Sequence, residues 1–215
     1  MALGPHIKNA ELLQGLESLV EQRTRELKAS LADTKEKEQE IAHINQVVQT
    51  VNSTLDFDEV AGSVKEALKG IFEFDAMAIL LINETQQQFV IHRAYGNVIQ
   101  DDHVEQYKKI KIPLIAKDSV NTYVITKNKP FYFTDLSSDT EMLAADRRIW
   151  EILPFMSGLF LPLEVQNEVI GAINFFRISN NLVLTEDGIK RIQQYVFHLA
   201  TAINNARMAE ETITA

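Results

Sequence analysis

Apolar residues recur at two different spacings along this chain, and the change of spacing divides it. From His6 to Ile112 there is no proline, and through about residue 55 the apolar positions repeat every three or four residues. Written as heptads, position a takes Leu13, Val20, Leu27, Thr34, Ile41 and Val48, and position d takes Leu16, Arg23, Ser30, Lys37, Ile44 and Val51. This register predicts one long helix in a parallel coiled coil. At about 1.5 Å per residue the arm reaches roughly 60 Å. Arg23, Ser30 and Lys37 weaken the middle of the seam, which leaves two readings: a solvated dimer spacer with three imperfect layers, or a coil poised between two packings that passes a twist along. The charge-rich residues 32–40 read as a solvated helix face with internal ion pairs.

Past residue 55 the period shifts. Asp56 and Glu59 resemble a capping box that starts a helix near Phe57, with Val60, Val64, Leu68 and Ile71 on its apolar face and Gly70 near its end. Residues 75–82 and 89–95 read as a hairpin of buried strands around a polar turn. A short strand follows at 110–114, where Pro113 suits an edge. A helix capped by Asp118 or Ser119 runs to about Thr126, a strand covers 131–134, and 135–153 is a polar loop leading into a helix. Residues 159–176 then place two apolar runs around Gln166, Asn167 and Glu168, a second hairpin. Its second arm is apolar at nearly every position, as in a central strand covered on both faces, while Pro162 and Glu164 make the first arm less enclosed. Asn174 interrupts that apolar arm, and a buried amide without a partner costs roughly 1–3 kcal/mol. Thr185 caps a last helix with Ile189, Ile192, Val196, Leu199, Ile203 and Ala206 on one face. The order predicts an α+β fold: a central antiparallel sheet of about six strands between end helices, with the second hairpin near its middle.

Composition narrows the function. The 215 residues are 46% hydrophobic, enough for one substantial core plus an extension. A net charge of −9 argues against nucleic acid or anionic membrane as partners. No apolar run approaches the roughly 18 residues of a membrane span, and no cysteine is present to form a disulfide, a thiolate metal site, a thioether-linked cofactor or a cysteine nucleophile. A cytoplasmic location is expected.

Specific phrases carry a resemblance. Residues 53–60 (STLDFDEV), 75–82 (DAMAILLI), 127–135 (KNKPFYFTD), 161–174 (LPLEVQNEVIGAIN), 184–188 (LTEDG) and 200–207 (ATAINNAR) occur in the order found in the GAF domain family, which this chain resembles over about 165 residues. Residues 20–28 resemble the helices that follow membrane or sensor modules in bacterial signalling proteins. The resemblance implies a signalling helix over 1–40, a GAF domain over 41–210, and, at 211–215, the start of a linker to an effector such as a nucleotide or diguanylate cyclase, a phosphodiesterase or a histidine kinase. It implies a regulatory domain of a larger cytoplasmic signalling protein; with no phosphate-binding loop, nucleophile elbow or paired-His zinc motif in the sequence, no catalysis is expected of the domain itself. Such a domain binds a small molecule, foremost a cyclic nucleotide (cAMP or cGMP), and relays through its end helices; the lack of cysteine leaves no covalent cofactor expected, and the heptad seams at both ends predict a parallel homodimer. The alternative is a ligand-free dimerisation and relay module.

Carried over by position, the resemblance puts the ligand's phosphate at the helix start, Val120 and Asn121, and its base over Ala78, Ala94, Tyr95 and Asn174, with Ser157 also in the set. Tyr95 or Trp150 offers an aromatic face and Asn174 both a donor and an acceptor. The helix start, residues 116–121, lacks the glycines that let backbone approach a phosphate, and Asp118 repels an anion where Lys117 attracts one. The Asn-Lys-Phe-Asp-Glu signature of cyclic-nucleotide GAF domains is absent, with only Asn180 or Asn181 and Glu186-Asp187 reminiscent of it. Elsewhere, Asp101-Asp102-His103 reads as a solvated loop, not a metal site, His92 and His198 as hydrogen-bonded structural residues, and Arg147-Arg148 as solvated charges or a clamp for an anionic ligand.

Overall fold

The computed structural model describes residues 4–51, 53–83, 87–96, 99, 103, 106–107, 109–114, 118–136 and 142–214. Among them no helix is long and apolar enough to cross a membrane. The chain divides into two units, Met1–Gln46 and Val47–Ala215. The first is helical throughout its described length, as part of α1 (Gly4–Val51). Ion pairs one turn apart, Arg23–Glu26 at 2.9 Å and Lys37–Asp33 at 2.8 Å, hold its surface. The seam residues Leu13, Leu16, Val20, Leu27 and Ile41 stand exposed in the single chain.

The second unit begins with α2 (Phe57–Lys69), whose first turn is capped by Asp56 accepting from the Glu59 N–H at 3.0 Å. The N–H of Asp56 goes to Thr54 Oγ1, not to the Glu59 side chain, so half of the expected reciprocal box forms. Gly70 closes the helix in right-handed backbone, φ −70°, so no left-handed C-cap is used. Strands β1 (Ala76–Asn83), β2 (Gln88–Gly96), β3 (Ile112–Pro113), β4 (Phe131–Phe133), β5 (Ser157–Val165) and β6 (Glu168–Arg177) form one antiparallel sheet in the order β3-β2-β1-β6-β5-β4. Helices α3 (Val120–Lys127) and α4 (Ala144–Ile152) lie between strands in sequence, and α5 (Glu186–Thr214) ends the fold. Ser119, not Asp118, caps α3, and Thr185 caps α5 by accepting from the Gly188 N–H.

The second hairpin is at the centre of the sheet, as its pattern predicts. β6 pairs with β1 on one side and β5 on the other, and Gly171–Phe176 is buried on both faces. Its tip, Gln166-Asn167, has φ of 52° and 67°, the doubly left-handed turn whose twist matches paired strands. Pro162 is tolerated because β4 pairs only with Gly158–Phe160, leaving no strand to ask for its missing N–H.

Alternation gives the sheet two furnished faces. Ile79, Leu81, Leu159, Leu161, Leu163, Ile173 and Phe175 face α2 and α5, which supply Val60, Val64, Leu68, Ile192, Val196, Leu199 and Ile203. Each such side chain contributes roughly 1.5–3 kcal/mol on burial. The opposite face carries Ala76, Leu80, Phe89, Ile91, Phe160, Ala172 and Phe176 in one cluster with Tyr107, Val124 of α3 and Ile149 of α4. A bulge in β2 sets the parity there: Ile79 pairs with Arg93 but Leu80 with Ile91, so His92 is the extra residue.

Candidate functional site

The candidate site lies on the face of the sheet away from α2 and α5. Small residues at paired positions, Ala78 and Ala94, leave room above the central strands. Ile149, Leu153 and Phe155 close that room from the α4 side and Tyr107 from the β3 side. What remains is a cavity of about 20 Å³ with Asn174 on its wall, space for about one water molecule. A second cavity of about 140 Å³ lies between Val120, Phe131, Phe133, Met142, Asp146 and Phe160. Phe155 lines both, so its ring, stacked on Phe176 at 4.5 Å, forms the wall between them.

A buried polar chain crosses this apolar region. Asn174 Nδ2 donates to Asn121 Oδ1 at 3.0 Å, and Asn121 Nδ2 to Ser119 Oγ at 3.4 Å. Ser119 Oγ donates to Asp146 Oδ1 at 2.6 Å, while the Val120 N–H donates to Asp146 Oδ2 at 2.8 Å. Asn174, Asn121, Ser119 and Asp146 are all buried. Burial pushes the Asp146 carboxyl above its ordinary range and Asp118 adds to this, against the bonds from Ser119 and Val120. Asn174 Oδ1 has no hydrogen-bond partner among the described residues.

Of the residues expected at a ligand site, Ala78, Ala94 and Asn174 meet at the smaller cavity, and Val120 lines the larger, with Asn121 linking the two regions. Tyr95 does not join them. It points to the opposite face, where its hydroxyl donates to Asp58 at 3.2 Å and Lys65 lies over its ring, because neighbours Ala94 and Tyr95 cannot share one face of a strand. Trp150 is 37% exposed and donates from Nε1 to the Phe155 carbonyl, a tie within its own helix end. Its neighbour Ile149 takes the cavity wall. Ser157 is fully buried but serves backbone: it donates to Asn180 O at 3.3 Å and accepts from the Leu182 N–H at 2.6 Å. Arg147 and Arg148 are exposed, and Arg148 reaches Asp118 at 3.7 Å. Lys117, Asp101 and Asp102 lie outside the described residues.

Sequence reasoning missed Asp146 and Phe155. The signal for Asp146 was present: Asp146, Ile149 and Leu153 are spaced three and four apart, so a carboxylate sits in the apolar stripe of α4. Phe155 follows Pro154 in irregular backbone, where periodicity says nothing.

The helix face holds a second polar cluster. Arg93 donates to Asp58 at 2.6 Å and to Glu210 at 3.0 Å, and His92 Nε2 lies 2.8 Å from Glu210. The His92 ring packs edge-on against Phe57 at 4.2 Å, the structural role expected for it. Burial chiefly lowers the His92 pKa, with the Arg93 charge adding to the effect and Glu210 opposing it. Among the described residues no cluster of three or more His, Asp or Glu side chains forms a metal site.

No protein-family model matches the sequence, and no curated protein matches it either. Solved structures do match. The GAF domain of an Acinetobacter phosphoenolpyruvate-protein phosphotransferase is similar at a TM-score of 0.61 and 13% identity, over 80% of this chain and 98% of that one. The GAF domain of a two-component sensor histidine kinase from Bacillus halodurans gives 0.58 and 16%, over 73% and 99%. A free methionine-R-sulfoxide reductase from Neisseria meningitidis, solved with its substrate, gives 0.55 and 15%, over 77% and 89%. The globular unit has the GAF fold. The same fold carries catalysis in the reductase, so fold alone does not separate sensor from enzyme.

Proposed function

We propose that this chain is a regulatory, ligand-binding domain of a larger signal-transduction protein, acting without catalysis of its own. The observation that carries this is Asn174: a buried amide with a free acceptor, on the wall of an apolar cavity over the central strands. An unsatisfied buried acceptor is costly, and a bound ligand that donates to it would relieve that cost. In this reading occupancy of the site is relayed through α1 and α5 of a parallel homodimer to a cyclase, phosphodiesterase or kinase domain.

A cyclic nucleotide, cAMP or cGMP, is the ligand class the resemblance implies. Cavities of about 20 and 140 Å³ fall below the roughly 300 Å³ at which ligand pockets begin, so such a ligand enters only with α4 displaced. Calorimetry of the chain with cAMP, cGMP, free nucleobases and small aromatic compounds tests the reading. Saturable binding that Asn174→Leu weakens supports it, and no binding from any of these classes counts against it. The tight filling of the site by Phe155, Phe176 and Tyr107 favours a second reading, a ligand-free relay module. That reading expects full regulation of the effector with every probe absent.

A further inference from the structure

The polar chain over the sheet has a direction, and its anchor sets it. An ionised carboxylate only accepts, so Ser119 commits its one proton to Asp146. Ser119 Oγ must then accept, which it does from the Asn121 N–H at 3.1 Å and from Asn121 Nδ2. Asn121 so oriented presents Oδ1 to Asn174, which answers with Nδ2. The group left over is Asn174 Oδ1, on a residue that is 1% exposed and lines the apolar cavity. The amide orientations thus follow from donor–acceptor logic starting at Asp146, and the open end of the chain is an acceptor.

Asp146 also occupies the first N–H of α3, where the helix's partial positive charge would otherwise hold an external anion. The charge of Asp118 acts on it there, and Asp118 in turn pairs with Arg148 at 3.7 Å. The walls around the open acceptor are aromatic and aliphatic: Tyr107, Phe155, Phe176, Ile91 and Leu153. The adjoining 140 Å³, behind the Phe155 ring, is close to the roughly 150 Å³ that admits a benzene-sized molecule.

Building on the ligand-binding reading above, we propose that Asp146 fixes the chemistry of the ligand. The site takes an uncharged aromatic molecule that donates one N–H or O–H to Asn174 Oδ1, and it refuses ligands anchored by phosphate at α3. Asp146 is a specificity-determining residue: it sets the orientation of Asn174 through Ser119 and Asn121, and it lines the 140 Å³ cavity but not the one beside Asn174.

Indole and benzofuran, nearly identical in shape but differing in the ring N–H, are the probes, with inorganic phosphate as the anion. Calorimetry on the full chain should show indole binding at least tenfold tighter than benzofuran, with the preference lost in Asn174→Leu. The isosteric Asp146→Asn variant releases the Ser119 proton from a carboxylate, so its preference for indole should shrink several-fold. Phosphate at matched ionic strength should leave the wild-type melting temperature unchanged and raise that of Asp146→Ala. Circular dichroism establishes that each variant is folded, and if Asp146→Ala is not, Asp146→Asn and the wild-type comparisons still decide. Equal affinity for indole and benzofuran, or failure of both to bind, overturns the proposal. So does cGMP or phosphate binding to the wild type, which leaves the sensory reading intact. No binding by any of these probes or by cAMP overturns both.

Discussion

Replacing both asparagines of the buried pair should leave the protein at least as stable as it is now, although each single replacement destabilises it. The Asn174–Asn121 bond is 3.0 Å long and buried, worth about 1 kcal/mol net. Asn174 Oδ1 is already unsatisfied, a cost of about 1–3 kcal/mol. Asn174→Leu removes that cost but loses the bond and strands Asn121 Oδ1, so its net effect is a loss of about 1 kcal/mol. Leucine keeps the branch at Cγ, and the adjoining 20 Å³ accepts part of its extra volume. Asn121→Leu strands both polar atoms of Asn174 and costs about 2–4 kcal/mol. The double variant strands neither partner, so adding Asn174→Leu to Asn121→Leu should recover about 2–4 kcal/mol. Urea denaturation of the four proteins, fitted with a common slope, measures the cycle. Additive losses, with the double variant the least stable of the four, would refute the claim that Asn174 carries an orphaned acceptor.

Three further outcomes are expected. The native His92 pKa is held below the ordinary value, so on acidification the unfolded state takes up its proton first. The stability contributed by neutral His92 is therefore present above about pH 6.5 and lost as pH falls towards the native pKa. Melting temperatures from pH 5 to 8 should drop less steeply in His92→Gln, and parallel profiles would contradict this. A Cβ at Gly171 would stand 2.0 Å from the Leu80 carbonyl oxygen, so Gly171→Ala should cost roughly 3 kcal/mol or more; a melting temperature within a degree of wild type would disprove it. Leucine at Arg23, Ser30 and Lys37 together should tighten the proposed homodimer by roughly 1.5–3 kcal/mol per buried side chain. A triple variant that sediments as a monomer at micromolar concentration would count against the coiled coil.

The fold was legible wherever burial imposed a period. Two-sided burial made β6 an unbroken apolar run, one-sided burial gave α2 and α5 their three-and-four spacing, and Asp56, Ser119 and Thr185 marked helix starts. The site was legible only in part. Ala78, Ala94 and Asn174 came from position along strands, and strand position survives a small shift of register. Tyr95 was placed on the wrong side because a ligand list by strand end ignores alternation, and the bulge at His92 is invisible in the sequence. Trp150 and Ile149 are neighbours on α4, and only the packed helix shows which of them faces inward. Asp146 was missed although its spacing from Ile149 and Leu153 puts it in the apolar stripe, because a single carboxylate in a charged helix reads as solvated until the partner that buries it, the N-terminus of α3, is in place.

Helix α5 is clamped at both rims of the sheet. Just before it, Tyr132 of β4 and Ser157 of β5 grip residues 180–184. Near its far end, Arg93 and His92 of β2 grip Glu210. The 25 residues from Glu186 to Glu210 make a strut of about 36 Å across the curved sheet. A helix resists shortening, so anything that wedges the pocket face open and flattens the sheet loads this strut from its ends. Because Arg93 also holds Asp58 in the first turn of α2, one side chain of β2 ties the start of one helix to the tail of another.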